Sequence, residues 1–456
     1  YPQIFANTAD ITGSSLVVRP SSENGLYADT YDFQDIIDAN ELTGTFASVT
    51  SDNIFFTPTA TYDAFENVDL GLSRIEFDAI PGLTVNQTNT GAGIENVYSP
   101  TLTGPFGGLV SELFTLDADD YADALDQLDG DMYAGFMQGL RNNALQMNAI
   151  VSDQIDCAIS IDGVDKCGER DGETRLWGLV GYNDVEVDFD GNGSGYTGDH
   201  WSALLGLDFT MGNFTIGGFG GYRSSKQNYD RYAGQIKSDG WQLGLLAAYD
   251  VGSFYLRGIG SYQDLNADGS RRIDIGSIAG TVNSDFGAKV WSFYGEAGAR
   301  FDLGSAWLTP FAAVDYTDVK ISGFDEAGLP GANLTVDSQS QSQTSLLAGA
   351  KLAANLGGVI PEAKLAWRYD LDDDPWGYTA AFSAAPGSDF TVFAPEIGRS
   401  SLVAGLSLAA LLGDRFTGRV GWQGRFADEV NDNAFYGSLT YTFGAAAPPP
   451  PPPPPP

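Results

Sequence analysis

The stretch Phe435-Tyr436-Gly437-Ser438-Leu439-Thr440-Tyr441-Thr442-Phe443 alternates with period two. Extended backbone puts Phe435, Gly437, Leu439, Tyr441 and Phe443 on one face and Tyr436, Ser438, Thr440 and Thr442 on the other. One face is apolar and the other mostly hydroxylic. The same pattern recurs in Trp201-Ala203-Leu205-Leu207-Phe209, Trp241-Leu243-Leu245-Ala247-Tyr249 and Leu346-Ala348-Ala350-Leu352-Ala354-Leu356. The opposite faces of this series carry Arg175, Asp208, Arg257, Glu296, Arg300, Glu362, Lys364, Arg368, Arg419 and Arg425 among small residues. In a soluble sandwich the polar face meets bulk water and the apolar face a core. In a transmembrane barrel the apolar face meets lipid and the polar face lines the lumen.

Connection lengths choose between the two. The links at Met211-Gly212-Asn213, Asp250-Val251-Gly252, Gly304-Ser305, Asn355-Leu356-Gly357-Gly358 and Gly413-Asp414 are short. Between them fall longer links at about 190–199, 227–236, 265–283, 321–340, 372–398 and 427–433. Strict alternation of short turns and long loops is the asymmetry of a transmembrane barrel, and a sandwich has no reason to show it. The series from 174 to 443 predicts twelve antiparallel strands, with both barrel ends on the short-turn side.

The rest of the chain fits around that barrel. Among 456 residues, 23 Lys+Arg stand against 60 Asp+Glu, a net charge of −37 that repels phosphate backbones and excludes nucleic-acid binding. A single His, His200, argues against His-based triads and His-rich metal sites. Hydrophobic residues at 43% and aromatics at 12% exclude a disordered acidic chain. No apolar run is long enough for a membrane-spanning helix, which leaves a barrel open. The start at Tyr1, without Met or a leader, reads as a processed chain or a fragment. Four regions follow from composition: 1–105, Thr/Asn/Asp-rich with short β-type runs; 106–173, helical; 174–443, the strand series; and 444–456, Ala/Pro-rich. In the second, Thr115 or Asp117 can cap a helix carrying Leu125 and Leu128, and Gly130 divides it from a second helix over about 131–155. That second helix mixes Arg141, Asn142, Asn143, Gln146 and Asn148 with Leu145, Met147 and Ile150. It is too polar for a core and too apolar to stand free, as expected of a helix inside a polar tube.

Three stretches, in order, resemble the autotransporter family of outer-membrane proteins. Leu42-Thr43-Gly44-Thr45-Phe46-Ala47-Ser48-Val49 with Thr57-Pro58-Thr59-Ala60-Thr61-Tyr62-Asp63 resembles the last coils of a β-helical passenger. Tyr121-Ala122-Asp123-Ala124-Leu125-Asp126-Gln127-Leu128-Asp129-Gly130-Asp131-Met132-Tyr133-Ala134 is similar to the family's linker helix. The strand series from Arg175-Leu176-Trp177-Gly178 to Leu439-Thr440-Tyr441-Thr442-Phe443 looks like its barrel. Phe443 departs from the pattern, because Ala and Pro residues follow the terminal aromatic that the barrel-assembly machinery reads. The resemblance implies a Gram-negative outer-membrane protein, all-β with a pore helix and a short β-helix-like extracellular stub. It also implies partners in outer-membrane lipid, lipopolysaccharide and the assembly machinery. In some branches an Asn pair such as Asn142-Asn143 is a self-cleavage point, but helical backbone would hold it away from cyclisation.

The expected sites are few. Asp188, Asp190, Asn192, Ser194 and Asp199 match the spacing of a calcium loop, with Gly193 at its sixth position, although Asp replaces the usual Glu at the twelfth. The competing reading is an acidic hairpin tip. Asp264-Leu265-Asn266-Ala267-Asp268-Gly269 repeats the opening of the motif. Cys157 and Cys167 read as a small-loop disulfide in an oxidising compartment, worth about 2–3 kcal/mol. Arg141, Asn142 and Gln146 should meet lumen groups such as Glu296, Arg300 and Arg419, because buried polar groups need partners. Pro448 to Pro456 would form a polyproline rod reaching peptidoglycan or a periplasmic partner. No enzyme site and no required cofactor is expected. The leading function is an outer-membrane barrel that anchors and translocates or displays its N-terminal segment. The alternatives are a structural barrel tethered to the cell wall through the Pro-rich tail, and a diffusion porin.

Overall fold

A computed structural model describes residues 1–63, 66–156, 172–232, 234–372, 374–413 and 415–443. Cys157, Cys167 and the Pro-rich tail lie outside the described residues.

The strand series closes into a twelve-stranded antiparallel barrel. Its strands are Thr174–Val187, Tyr196–Met211, Phe214–Tyr229, Gln235–Val251, Phe254–Ile275, Ile278–Ala299, Ala306–Ile321, Gln339–Ala354, Val359–Asp370, Ser400–Leu411, Phe416–Ala427 and Val430–Phe443. The sixth continues, after a break at Arg300, as Phe301–Asp302. Closure comes from the first and last strands, paired from Thr174↔Phe443 to Val187↔Val430. Closure leaves no edge strand in the barrel sheet.

The period-two pattern decides which way each side chain points. Leu205, Leu245 and Leu439 stand on the outside at 61%, 74% and 49% exposure, with Ala350 and Tyr441 on the same face. Aromatic girdles bound this apolar band. Near the long-loop end Tyr182 meets Trp201 at 4.7 Å and Tyr262 meets Trp291 at 4.6 Å. Near the short-turn end Phe214 meets Tyr249 at 4.5 Å and Phe416 meets Tyr441 at 4.8 Å. Such belts mark the two membrane–water interfaces.

The long-loop end differs from expectation in three ways, the first being that the link at 427–433 is mostly strand, turning at Asp428-Glu429 between the paired Ala427 and Val430. Residues 265–283 are not a loop. The strands Phe254–Ile275 and Ile278–Ala299 run through it in unbroken register to a tight turn at Gly276-Ser277, where Gly276 has φ 56°. The Asp264–Gly269 motif therefore lies in extended strand, which cannot wrap an ion. The links at 321–340 and 372–398 are not free loops either. They contribute Phe324–Asp325, Leu334–Val336, Gly377–Phe382 and Phe390–Phe393 to a small four-stranded sheet covering the barrel mouth.

Among the described residues four helices precede the barrel: α1 Val85–Val97, α2 Gly104–Leu113, α3 Ala118–Asp129 and α4 Met132–Gln154. Asp117 caps α3 through the Asp120 amide at 2.9 Å, and Gly130 ends it with φ 64°. Helix α1 was not expected, since residues 1–105 read as a β-helix-like region with short β-type runs. Its interior is rich in Asn, Thr and Gly, poor helix formers with no apolar stripe. A capping box starts it: the Thr84 hydroxyl accepts from the Gln87 amide, and the Gln87 side chain accepts from the Thr84 amide.

Before α1, Ile4–Asp10 pairs in parallel with Thr30–Thr43, and Ser15–Val18 with Ser48–Ser51. Side chains one coil apart bond to each other: Asn40 to Asn7 and Ser48 to Ser15, each 33 residues apart. This is coil-like parallel stacking, closed on one side by the antiparallel strands Asn67–Arg74 and Phe56–Tyr62. A continuous apolar core then runs from Tyr27, Phe55, Phe77 and Phe114 through Tyr121 and Leu125 into the barrel mouth at Tyr133 and Phe136.

Candidate functional site

Helix α4 lies in the lumen with all 23 of its residues buried. At about 1.5 Å per residue it spans about 35 Å, roughly the depth of a bilayer core. Tyr133, Gln138, Arg141, Asn142, Gln146, Asn148 and Asp153 find partners on the wall or its cover along the whole length. The Asn143 side-chain carbonyl oxygen, the Ser152 hydroxyl and the Gln154 amide nitrogen have none among the described residues.

At the long-loop end the Tyr133 hydroxyl donates to Glu326 at 2.7 Å, and Arg271 clasps the same carboxylate at 2.8 and 2.6 Å. Gln138 accepts from the Tyr196 hydroxyl at 3.0 Å and donates to the Pro395 carbonyl at 2.8 Å. Midway, Arg141 pairs with Asp370 at 2.5 Å, and the Asn142 carbonyl accepts from Arg425 at 2.6 Å. Gln146 accepts from Gln423 at 2.6 Å. Asn148 donates to Asp315 at 3.0 Å, and Arg368 pairs with that aspartate at 3.1 Å. At the short-turn end, Asp153 meets Lys351 at 3.0 Å while Arg419 donates to its main-chain carbonyl at 2.9 Å. Asp156, just past the helix, meets Arg257 at 2.8 Å and Arg300 at 3.5 Å.

The expected contacts are thus redistributed. Arg141, Asn142 and Gln146 are engaged by the wall, but by Asp370, Arg425 and Gln423. Arg300 and Arg419 meet the acids at the end of the helical segment instead of its middle. Glu296 forms no hydrogen bond or ion pair with α4 among the described residues. It accepts from Tyr255 at 2.7 Å and sits 3.7 Å from Lys351. Sequence reasoning missed Asp153, Asp156, Lys351, Asp315 and Asp370. The available signal was two acids three residues apart at the end of a helix, facing a wall rich in inward cations. Asn142 and Asn143 lie in continuous helix.

The seal is also steric. A methyl group on Gly139 would fall 1.7 Å from the Gln227 side-chain nitrogen, and one on Gly135 2.8 Å from the Tyr229 ring. Two absent side chains let the helix press against the strand Phe214–Tyr229.

The calcium-loop residues do not converge. Asp190 uses one carboxylate oxygen to accept the Asn192 and Gly193 amides, both at 2.8 Å, and the other to accept the Glu396 amide at 2.8 Å. Asn192 is engaged by Asn86 of α1, and the Ser194 amide donates to Asp131 at 2.6 Å. Asp188 is exposed, and Asp199 is on a strand, accepting from the Tyr182 hydroxyl at 2.5 Å. Among the described residues no group of three or more His, Cys, Asp or Glu is placed to hold a metal. Asn192 instead joins Thr391 and Phe393 in the socket that receives α1. Asn86 bonds both the amide and the carbonyl of Phe393 at 2.9 Å, and Asn89 reaches the Thr391 carbonyl at 2.7 Å.

A sequence model described as the autotransporter beta-domain matches residues 176–423. Two curated relatives, each described as Esterase EstA, come from Pseudomonas aeruginosa and Pseudomonas putida. Both are 27% identical over 128 residues, which is 27% of this chain and 20% of theirs, so the match spans about a fifth of their length. Among solved structures, the translocator domain of the autotransporter NalP from Neisseria meningitidis is similar with a TM-score of 0.54 at 17% identity. The likeness covers 66% of this chain and 98% of that one. The beta domain of the Bordetella autotransporter BrkA aligns with a TM-score of 0.45 at 21% identity, over 60% of this chain and all of that one.

Proposed function

This chain belongs to the autotransporter family, and from that premise we propose that its barrel anchors and displays the segment before α4 at the cell surface, having passed it through the pore. The protein is an integral barrel of the Gram-negative outer membrane. The observation that carries the reading is α4 itself. It links the region before it, gathered at the long-loop end, to a barrel whose first strand starts at the short-turn end.

In this reading the long-loop end faces outward, the short-turn end faces the periplasm, and peptidoglycan or a periplasmic protein is the proposed partner of residues 444–456. Lipopolysaccharide surrounds the outer half, and the assembly machinery inserts the barrel. The family's barrel domain is not itself catalytic, and we assign no reaction to it. The esterase named for the two relatives is theirs. The described helix fills the lumen that a diffusion porin would keep open.

An epitope inserted after Gly13, an exposed turn residue with open space around it, tests the orientation. Antibody should stain intact cells, and a tag at the C-terminus should stain only permeabilised ones. The reverse staining, or steady conductance of the intact chain in a planar bilayer, would overturn the proposal.

A further inference from the structure

The sequence contains seven lysines. Lys351 and Lys364 are buried in the lumen, and Lys166 lies outside the described residues. The remaining four all stand on the outer face of the barrel toward its long-loop end, and they form two directly opposed cross-strand pairs, Lys226↔Lys237 and Lys289↔Lys320.

Each lysine lies just beyond the aromatic girdle on its own strand. Lys226 follows Tyr222, Lys237 precedes Trp241, Lys289 precedes Trp291 and Lys320 follows Tyr316. Offsets of two to four residues correspond to about 7–13 Å along a strand. Girdle aromatics sit at the headgroup interface, so the ammonium groups fall at the level of lipid phosphates.

Like charges directly opposite each other destabilise a sheet unless a counter-charge joins them. The structure supplies none by direct pairing, since no carboxylate forms an ion pair with these lysines among the described residues. Asp199, Asp268 and Asp264 are next in register to Lys226, Lys237 and Lys289 respectively. Neutral hydroxyls engage several acids of this rim instead: Tyr182 bonds Asp199 at 2.5 Å, Tyr222 bonds Asp239 at 2.6 Å, Tyr262 bonds Asp264 at 3.1 Å and Ser340 bonds Asp318 at 3.1 Å. Asp199 and Asp264 are thus held by tyrosine hydroxyls, and none of the register neighbours forms an ion pair with a lysine among the described residues.

We propose that Lys226 with Lys237, and Lys289 with Lys320, are two clamps for phosphate groups of lipid in the leaflet at the long-loop end. Side chains opposed across a sheet start about 5 Å apart, so two ammonium groups reach the oxygens of one phosphate. A lipid is the source because the strands below these positions are lipid-facing, with Leu243 at 56% and Leu245 at 74% exposure beneath Lys237. The inference rests on the orientation above, which puts a phosphorylated glycolipid at this depth.

Native mass spectrometry of the full chain in detergent, in the presence of chelator, tests it with bisphosphorylated lipid A, enzymatically dephosphorylated lipid A and inorganic phosphate as probes. At about 1 kcal/mol per surface cation, each lysine contributes about fivefold. The bisphosphorylated lipid should bind at least tenfold tighter than the dephosphorylated one. K226Q/K237Q and K289Q/K320Q should each lose roughly tenfold or more, and the matching Lys→Arg pairs should keep binding. Heat-modifiable gel mobility confirms that each variant is folded. Unchanged binding by the fourfold Gln variant, equal binding of both lipids, competition by millimolar inorganic phosphate, or binding that requires a divalent ion would overturn the proposal. Labelling of Ala279→Cys on intact cells by an impermeant maleimide tests the orientation separately. Labelled cells with no lipid preference would sink the clamps alone.

Discussion

The carboxylate of Asp153, in the last turn of α4, lies 3.0 Å from the ammonium of Lys351 on the barrel wall, and both side chains are buried. The pair fastens the plug at the short-turn end. Lys351 has a second carboxylate nearby in Glu296, whereas Asp153 is the helix's own contribution. Asp153→Asn should therefore destabilise the seated helix by about 3 kcal/mol, because it leaves a buried cation under-neutralised. Planar-bilayer recordings should show frequent openings where the parent is closed. Adding Lys351→Met should recover part of the loss in a double-mutant cycle.

Asn86 is fully buried and ties α1 to both main-chain groups of Phe393. Asn86→Ala orphans those groups at a cost of about 1–3 kcal/mol. Hydrogen exchange should accelerate in residues 385–395 and in α1 while the barrel strands stay protected.

Asp126, on α3 outside the membrane band, has its pKa raised to about 6, chiefly by burial and against the pull of Arg231. A carboxylate whose folded pKa exceeds its unfolded one binds protons more tightly when folded. Its relative contribution is greatest below about pH 4 and is lost as pH rises through about 6. Opening of the α3 region, followed by hydrogen exchange, should become easier from pH 5 to pH 7. Asp126→Asn should flatten that dependence. Burial raises Asp129 and Asp131 in the same direction.

Asp190 fills its acceptor positions with main-chain amides from two separate loops. Asp190→Ala should lower stability by about 1–2 kcal/mol, and millimolar calcium should leave the parent's melting temperature unchanged. A calcium-dependent upward shift that Asp190→Ala abolishes would restore the metal reading.

The barrel was legible because alternation is enforced at every strand. A residue such as Leu245 must face lipid and its neighbour Leu246 must face inward, so the pattern survives without an alignment. The plug was legible as a helix of mixed polarity, but its partners were not. Which inward arginine meets which helix residue depends on strand register and helix rotation, and neither is written in local sequence. Helix α1 was hidden because Asn86 and Asn89 hold it in a socket built from residues 192 and 391–393, some 100 to 300 positions away, while Gln87 ties it to Ala122 and Asp126 of α3. Only its capping box was local. The calcium spacing is ambiguous in sequence because short acidic turns satisfy their own amides with the same carboxylates that a metal would use.

Closure of the first strand on the last has a topological consequence. The ring of hydrogen bonds between Thr174–Val187 and Val430–Phe443 surrounds a segment of its own chain, so the polypeptide is threaded through itself. Such an arrangement imposes an order in time. The coil stack and helices α1–α3 are together bulkier than the lumen that α4 alone fills, so they cannot have folded on the short-turn side and then crossed a closed ring. Either the ring shuts around a chain already in place, or the chain passes unfolded and consolidates on the far side. In both sequences the cap locks the thread only after passage is complete, and the finished molecule is held by topology as well as by its contacts.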